Sequence, residues 1–400
     1  MAGLPERKGG KWMKTIKLFL GLLVAVLLCL GFGATAQAFH DGGVAHCDGC
    51  HTMHNSQDGE PIADNIGASL TIGTDPSSTC LNCHEGSGSY HVFSSDGSNL
   101  TAGGDFYWLT KTFNYTTFRP MTRNGWSFGH NVVAADYSLE QDPVLDKAPG
   151  GTFLSAWLAC SSCHDPHGKK VNKSGPIVSS GSYGADPADG ETGNYRILGD
   201  IGYSPGPGGA NTFINSPPIA TAPGLRDGPE ADDNHVDYGV NMSEWCANCH
   251  TGFDKGLGSA GGPKHPANND ATMGVGGIAT NYNIYVATGD LTGTADAAYL
   301  ALVPFERGID DPTTLIPTST QGPDAGSNVM CLTCHRAHAS AFPNAGRWDF
   351  ETELLVDSHP QTGDGGASAT DQLRSYYDRD IATVFGEGQR SLCNKCHIQD

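Results

Sequence analysis

The chain has 400 residues and a formal charge of −20, with 16% charged against 38% hydrophobic residues. So acidic a chain is not one that seeks nucleic acid or an anionic membrane surface. Gly and Pro together supply 77 residues, about 19% against a usual ~12%, so helices should be few and sheet scarce.

In chain order, Arg7, Lys8, Lys11, Lys14 and Lys17 precede an apolar run over 18–30, and Ala36-Gln37-Ala38 offers a small-x-small cleavage pattern. Residues 1–38 therefore read as a secretory signal peptide, since the apolar run is too short for a bilayer span and small residues follow it. Cys29 follows the bulky Leu28, which argues against lipidation. Cleavage after Ala38 removes five basic residues and Glu6 and leaves a chain over 39–400 with charge −24, read as a single domain.

The twelve remaining cysteines all fall in six Cys-x-x-Cys pairs, each followed at once by His. These are Cys47/Cys50/His51, Cys80/Cys83/His84, Cys160/Cys163/His164, Cys246/Cys249/His250, Cys331/Cys334/His335 and Cys393/Cys396/His397. Their spacing from first Cys to first Cys is 33, 80, 86, 85 and 62 residues, so they are spread over the whole chain. Between them the sequence is turn-rich, and 204–223 has no periodicity and reads as loop. Helical spacing appears at 294–302 and at 370–385, where Leu373, Tyr376, Tyr377, Ile381, Val384 and Phe385 share a face before Gly386.

Each motif is the attachment signal for c-type haem. Two thiols one helical turn apart add to the two vinyl groups on one porphyrin edge, and the adjacent His then reaches iron. Zinc sites pair one Cys-x-x-Cys with another and need no His directly after each. A disulfide framework belongs to small secreted chains, without this fixed spacing. The reading is six covalent haem c groups, with His51, His84, His164, His250, His335 and His397 as proximal ligands.

Ten other histidines are on offer for the six distal positions. His54, His167 and His338 each lie three residues after a motif His. They share its helical face and cannot reach around to the far side of its ring, so each should ligate a different haem. His91, His130 and His265 complete the set, the last two beside Gly129 and Pro266, which suit close approach and fixed turns. His40 is a reserve, and His46, His235 and His359 read as surface residues. Met53, Met121, Met242, Met273 and Met330 are competing ligands in principle, but Met is more often a packing residue.

Several strings go well beyond the bare motif. They are Phe39-His40 with Gly42-Gly43-Val44-Ala45, then Gly49-Cys50-His51-Thr52-Met53-His54-Asn55-Ser56, Ser161-Ser162-Cys163-His164-Asp165-Pro166-His167-Gly168-Lys169 and Met242-Ser243-Glu244-Trp245-Cys246-Ala247-Asn248-Cys249-His250-Thr251. Cys334-His335-Arg336-Ala337-His338-Ala339-Ser340 and Leu392-Cys393-Asn394-Lys395-Cys396-His397 complete them. Through them the chain from residue 39 onward resembles the OmcS-type family of hexahaem outer-surface c-type cytochromes, which form extracellular nanowires.

The resemblance implies a multihaem cytochrome c fold, mostly irregular coil and turns with a few short α-helices, wrapped round a continuous haem stack. It implies bis-His ligation of all six haems. It also implies that His54 ligates the haem of the fifth motif in a neighbouring subunit, giving a head-to-tail homopolymer. The expected role is extracellular electron transfer to metal oxides, partner cells or outer-membrane cytochromes, without bond-making catalysis. A monomeric periplasmic electron shuttle is the alternative. A multihaem redox enzyme is a further one and needs an open haem position.

Overall fold

A computed structural model describes residues 49–57, 60–61, 67, 69–88, 90–115, 120–167, 194–223, 228–253 and 265–399. The leader, His40, His46 and Cys47 lie outside them. Most of the described chain is turn and coil. Seven short helices punctuate it: α1 (Pro76–His84), α2 (Cys160–Cys163), α3 (Met242–Cys246), α4 (Ile278–Ile284), α5 (Cys331–Cys334), α6 (Ala369–Ser375) and α7 (Ile381–Val384). Sheet among the described residues amounts to three antiparallel pairs. They join β1 (Ser56–Gln57) to β2 (Glu60–Pro61), β3 (Thr112–Tyr115) to β4 (Met121–Asn124), and β5 (Ile219–Thr221) to β6 (Asp237–Val240). Pairs this small are marginal alone and depend on what they pack against.

Four of the seven helices carry the first Cys of a haem motif, and a local device starts each of three. Asp75 caps α1, with Pro76 at its first position, where a missing N–H costs nothing. Ser162 Oγ accepts the Ala159 N–H before α2, at 2.9 Å. Thr333 Oγ1 accepts the Met330 N–H before α5, at 3.0 Å.

Apolar side chains gather in three clusters rather than one. Leu81, Phe106, Trp108, Phe113 and Phe128 anchor the first. Val236, Tyr238, Met242 and Met330 form a small middle one. Tyr282, Leu302, Phe305, Trp348 and Tyr376 anchor the third. A domain usually has one contiguous core. Here there are three, and Leu81 and Leu332 bring motif-bearing helices into two of them.

The structure departs from the sequence reading at three elements. The helix expected at 370–385 is split into α6 and α7, because Tyr377 and Asp378 adopt left-handed φ values of 59° and 60° and Asp380 caps a new start on Thr383 N–H. At 294–302 only a single turn forms, Ala295–Ala297. The backbone N–H groups of Leu300 and Ala301 are drawn instead to Tyr282 Oη and Asp232 Oδ1. Within 204–223, the loop hides β5, whose partner β6 is too far along the chain for periodicity to reveal.

Candidate haem sites

The motif helices meet in two matching cradles. In one, α1 packs on α2, and Ser77 Oγ accepts the Cys160 N–H at 3.0 Å. In the other, α3 packs on α5, and Ser243 Oγ accepts the Cys331 N–H at 2.9 Å. Each serine lies three residues before the first Cys of its own motif and is buried. The clamp brings Cys80 to Cys160, and Cys246 to Cys331, within hydrogen-bonding reach. Two haem edges would meet in each cradle. Residues 194–203 link them: Tyr203 Oη donates to Ser161 O at 2.6 Å, and Trp245 Nε1 to Gly199 O at 2.8 Å.

The thiols of a motif are not equally enclosed. Cys83 is exposed, and so is Cys393, whereas the other described motif cysteines are partly buried. The sequence carries no signal for this difference. The physical reason at Cys83 is its place on α1. The helix turns Cys80 into the cradle against Cys160 and leaves Cys83, in its last turn beside the exposed Asn82, at the open rim. Cys83 still lies close enough to Cys50 to help burial push that thiol up. The second motif thus faces the third through Cys80 and the first through Cys83.

The imidazoles provide the test of fit for iron. A metal–imidazole bond is about 2.0 Å, and the ring centre lies about 1.1 Å beyond the nitrogen, so two rings opposed across one ion have centres about 6.2 Å apart. Four such pairs occur among the described residues. His51 faces His167 at 6.3 Å, His164 faces His338 at 6.4 Å, His250 faces His130 at 6.0 Å and His397 faces His265 at 5.9 Å. His91 lies near enough to His84 to oppose its protonation, stacked on Tyr90 at 4.2 Å.

The motif histidines are also oriented. The Nδ1 atoms of His51, His84, His164, His250 and His335 contact the carbonyls of Ser69, Tyr90, Arg196, Pro149 and Asn344 at 2.7–3.0 Å. A proton held there leaves Nε2 as the free donor atom, the usual arrangement behind a metal-bound His. His130 Nδ1 does the same with Ala337 O at 2.8 Å. Burial, followed by the facing His250, pushes His130 down to about 4. Burial, followed by His164, pushes His338 down to about 3. Both are therefore held neutral, the ligating form.

The segment His335-Arg336-Ala337-His338 is the hub. His335 belongs to the fifth motif, while His338 faces His164 of the third. Beside it, His130 N–H donates to His338 O at 2.9 Å, and His130 faces His250 of the fourth. Glycines make this approach possible. A Cβ on Gly104 would sit 1.9 Å from Ala339 O, at a φ of +92°, and a Cβ on Gly129 would sit 2.3 Å from His338 O. The glycine beside His130 thus serves a neighbouring backbone.

Two candidates remain without an imidazole opposite them among the described residues. His335 has only Phe350 against its ring, at 5.7 Å. His54 is exposed, next to Met53, which is 79% exposed.

Behind the hub lies a buried ionic cluster. Glu230 pairs with Arg336 at 2.8 Å and Arg347 at 3.1 Å, and the Arg336 guanidinium sits 3.6 Å from the centre of the Tyr377 ring. Burial alone would raise the Glu230 carboxyl, but Arg347 and then Arg336 hold it down to about 2. Arg347 Nε donates to Leu332 O in α5 at 2.6 Å, so the cluster braces the fifth motif.

His235 and His359, expected at the surface, are buried instead. His235 stacks on Tyr299 at 3.7 Å beside Asp237. His359 stacks on Tyr115 at 4.2 Å, and its Nδ1 contacts Asp364 at 2.6 Å. Asp237 and Asp364 are the acids beside them inside the fold. The repeated Ser-x-x-Cys was the only sequence signal for the clamp serines, and the ionic cluster had none.

No known protein-family profile matches the chain. The chain is 41% identical to the C-type cytochrome OmcS of Geobacter sulfurreducens, over 97% of this chain and all of that protein. Two solved assemblies from the same organism superpose with a TM-score of 0.80 over 90% of this chain and all of theirs. One is an outer membrane cytochrome S filament, 41% identical; the other is OmcS nanowires, 40% identical. The two cradles, the opposed imidazole pairs and this likeness along nearly the whole length agree: the chain belongs to the OmcS family of c-type cytochromes.

Proposed function

We propose that this protein is exported, binds six haem c groups and passes electrons along them to extracellular acceptors, as a head-to-tail polymer of the chain over 39–400. Residues 1–38 would be the export leader. The six Cys pairs, Cys47 to Cys396, would hold the haems, with proximal His51, His84, His164, His250, His335 and His397. The exposed Cys83 and Cys393 would carry the haem edges nearest solvent. When bound, haem supplies one-electron chemistry at iron. The cysteines would hold each ring and two histidines would be offered to each iron, the second one at the fifth motif coming from a neighbouring subunit, so that no position would be left for a substrate.

The arrangement supports distal pairing of His167 with the first motif, His91 with the second, His338 with the third, His130 with the fourth and His265 with the sixth. The observation that carries the polymer is what remains: His335 has no facing imidazole among the described residues, and His54 stands exposed with none to face. His54 of one subunit would close the fifth site of the next. The solved relatives are a filament and nanowires.

Electron microscopy of protein released from the cell surface tests this. Long uniform filaments are expected. Discrete small particles under gentle conditions would replace the polymer with a monomeric shuttle. The His54→Ala variant should keep its c-type absorbance and lose its filaments; unchanged filaments would refute the intersubunit ligand.

A further inference from the structure

We propose that Glu306 is a redox-linked proton site, which binds a proton as an electron reaches the haems held by Cys246 and Cys331 and releases it as the electron leaves. The inference rests on the haem reading above. Glu306 takes one proton from solvent and passes from carboxylate to carboxylic acid as one electron turns one of these two irons from ferric to ferrous; oxidation of that iron reverses both, and the electron that reduces the other iron carries no proton at this site.

Glu306 is fully buried. Its Oε1 accepts the Met242 N–H at 2.7 Å, while its Oε2 is buried with no hydrogen-bond partner. An ionised carboxylate so placed is costly unless paired. Among the described residues no Lys or Arg pairs with it. Arg307, next in the chain, turns to Asp237 at 2.8 Å.

The groups packed around Glu306 are acids or neutral. Tyr238 of β6 bridges its backbone on one side, and Asn328, whose Oδ1 also lacks a partner, does so on the other. From α3 comes Glu244, whose Oε1 accepts the Asn269 N–H at 2.7 Å and whose Oε2 is again without a partner. From α5 comes Cys331. Burial first, then Glu244 and Cys331, push the Glu306 carboxyl up to about 8 against the Met242 N–H. Thioether formation would neutralise Cys331 but leave the burial and Glu244.

Place ties this site to electron flow. Met242 opens α3, which ends at Cys246, and Ser243 is the clamp that accepts the Cys331 N–H. Glu306 is thus hydrogen-bonded to the residue beside the clamp that joins two haem-bearing helices. Negative charge arriving on either haem favours the protonated carboxyl. Glu244, half-buried, is the more exposed of the two acids.

Potentiometric titration of the assembled holoprotein at pH values on both sides of 8 tests this. At least one midpoint potential should fall with rising pH, approaching the one-proton, one-electron limit of about 59 mV per unit. Glu306→Gln should flatten that slope and leave the other haems unchanged; an unchanged slope would overturn the proposal. Redox-difference infrared spectroscopy of the unaltered protein guards against a variant that fails to fold. A carboxylic-acid C=O band should grow on reduction and shift in D2O, and its absence would also overturn the proposal. Failure of the haem reading itself would show differently, as a missing c-type absorbance.

Discussion

The α1–α2 and α3–α5 cradles share a serine clamp and differ in the acid beside it. Asp75, at the first, has both oxygens engaged: Oδ1 accepts Ser78 N–H at 2.8 Å, and Oδ2 accepts Ser78 Oγ at 2.8 Å and Ala135 N–H at 2.7 Å. Glu306, at the second, accepts one N–H and has a buried oxygen to spare. The first acid is used up as a structural cap, whereas the second keeps capacity for a proton. One scaffold thus gives two electrostatic settings, decided by how many donors point at each carboxylate.

The cradles differ also in bracing, since among the described residues the buried ionic cluster lies at the second. The largest effect should come from breaking that brace. Glu230→Ala leaves Arg336 and Arg347 buried without their anion and should cost about 3–5 kcal/mol in denaturant unfolding of the holoprotein, with no counterpart at α1–α2. Removing the clamps tests the likeness instead. Ser77→Ala and Ser243→Ala each strand the N–H of a motif cysteine and should cost about 1–3 kcal/mol. Near-equal losses would support equivalent cradles; a loss at one alone would break the comparison.

The pH dependence sharpens it further. Glu306 is raised to about 8 in the folded protein, above its ordinary value, so the native state binds the extra proton between the two. Stability should therefore fall as pH rises through that window, by at most about 1.4 kcal/mol per unit, and Glu306→Gln should remove this slope. Glu230, held down to about 2, acts oppositely: its stabilisation is present above the ordinary carboxyl range and is lost as pH falls towards 2. Thermal melts across pH would resolve both arms. The smallest effect is expected at Asp75, where Asp75→Ala should cost about 1 kcal/mol as a lost cap and leave haem potentials untouched.

The haem motifs were legible because covalent attachment demands fixed spacing, and the coil-rich fold because Gly and Pro leave little room for regular elements. What spacing could not show is which thiol of a pair faces inward, so the exposure of Cys83 beside the enclosed Cys80 waited on the packing of α1 against α2. That His167 and His338 should turn away from the motif His three residues before them was legible through a local steric argument. Which motif histidines they face was not, because His51 and His167, or His164 and His338, meet only through the tertiary fold. The same holds for His130 and Ala337, bonded across 207 residues. Burial of His235 and His359 was hidden because a polar partner inside a protein and a polar neighbour in water look alike in sequence. The break between α6 and α7 was hidden because Tyr377 and Asp378 carry no glycine signal.

The hub at His335–His338 has a mechanical consequence. Imidazoles facing the third motif and belonging to the fifth sit on one four-residue strip, and the His130 backbone, carrying a ligand candidate for the fourth, is stapled to it. A thermal displacement of that strip therefore carries three ring positions the same way at once. Their mutual spacings would vary less than any one position does, so the middle of the chain would behave as a common mount, insulated from its own vibration.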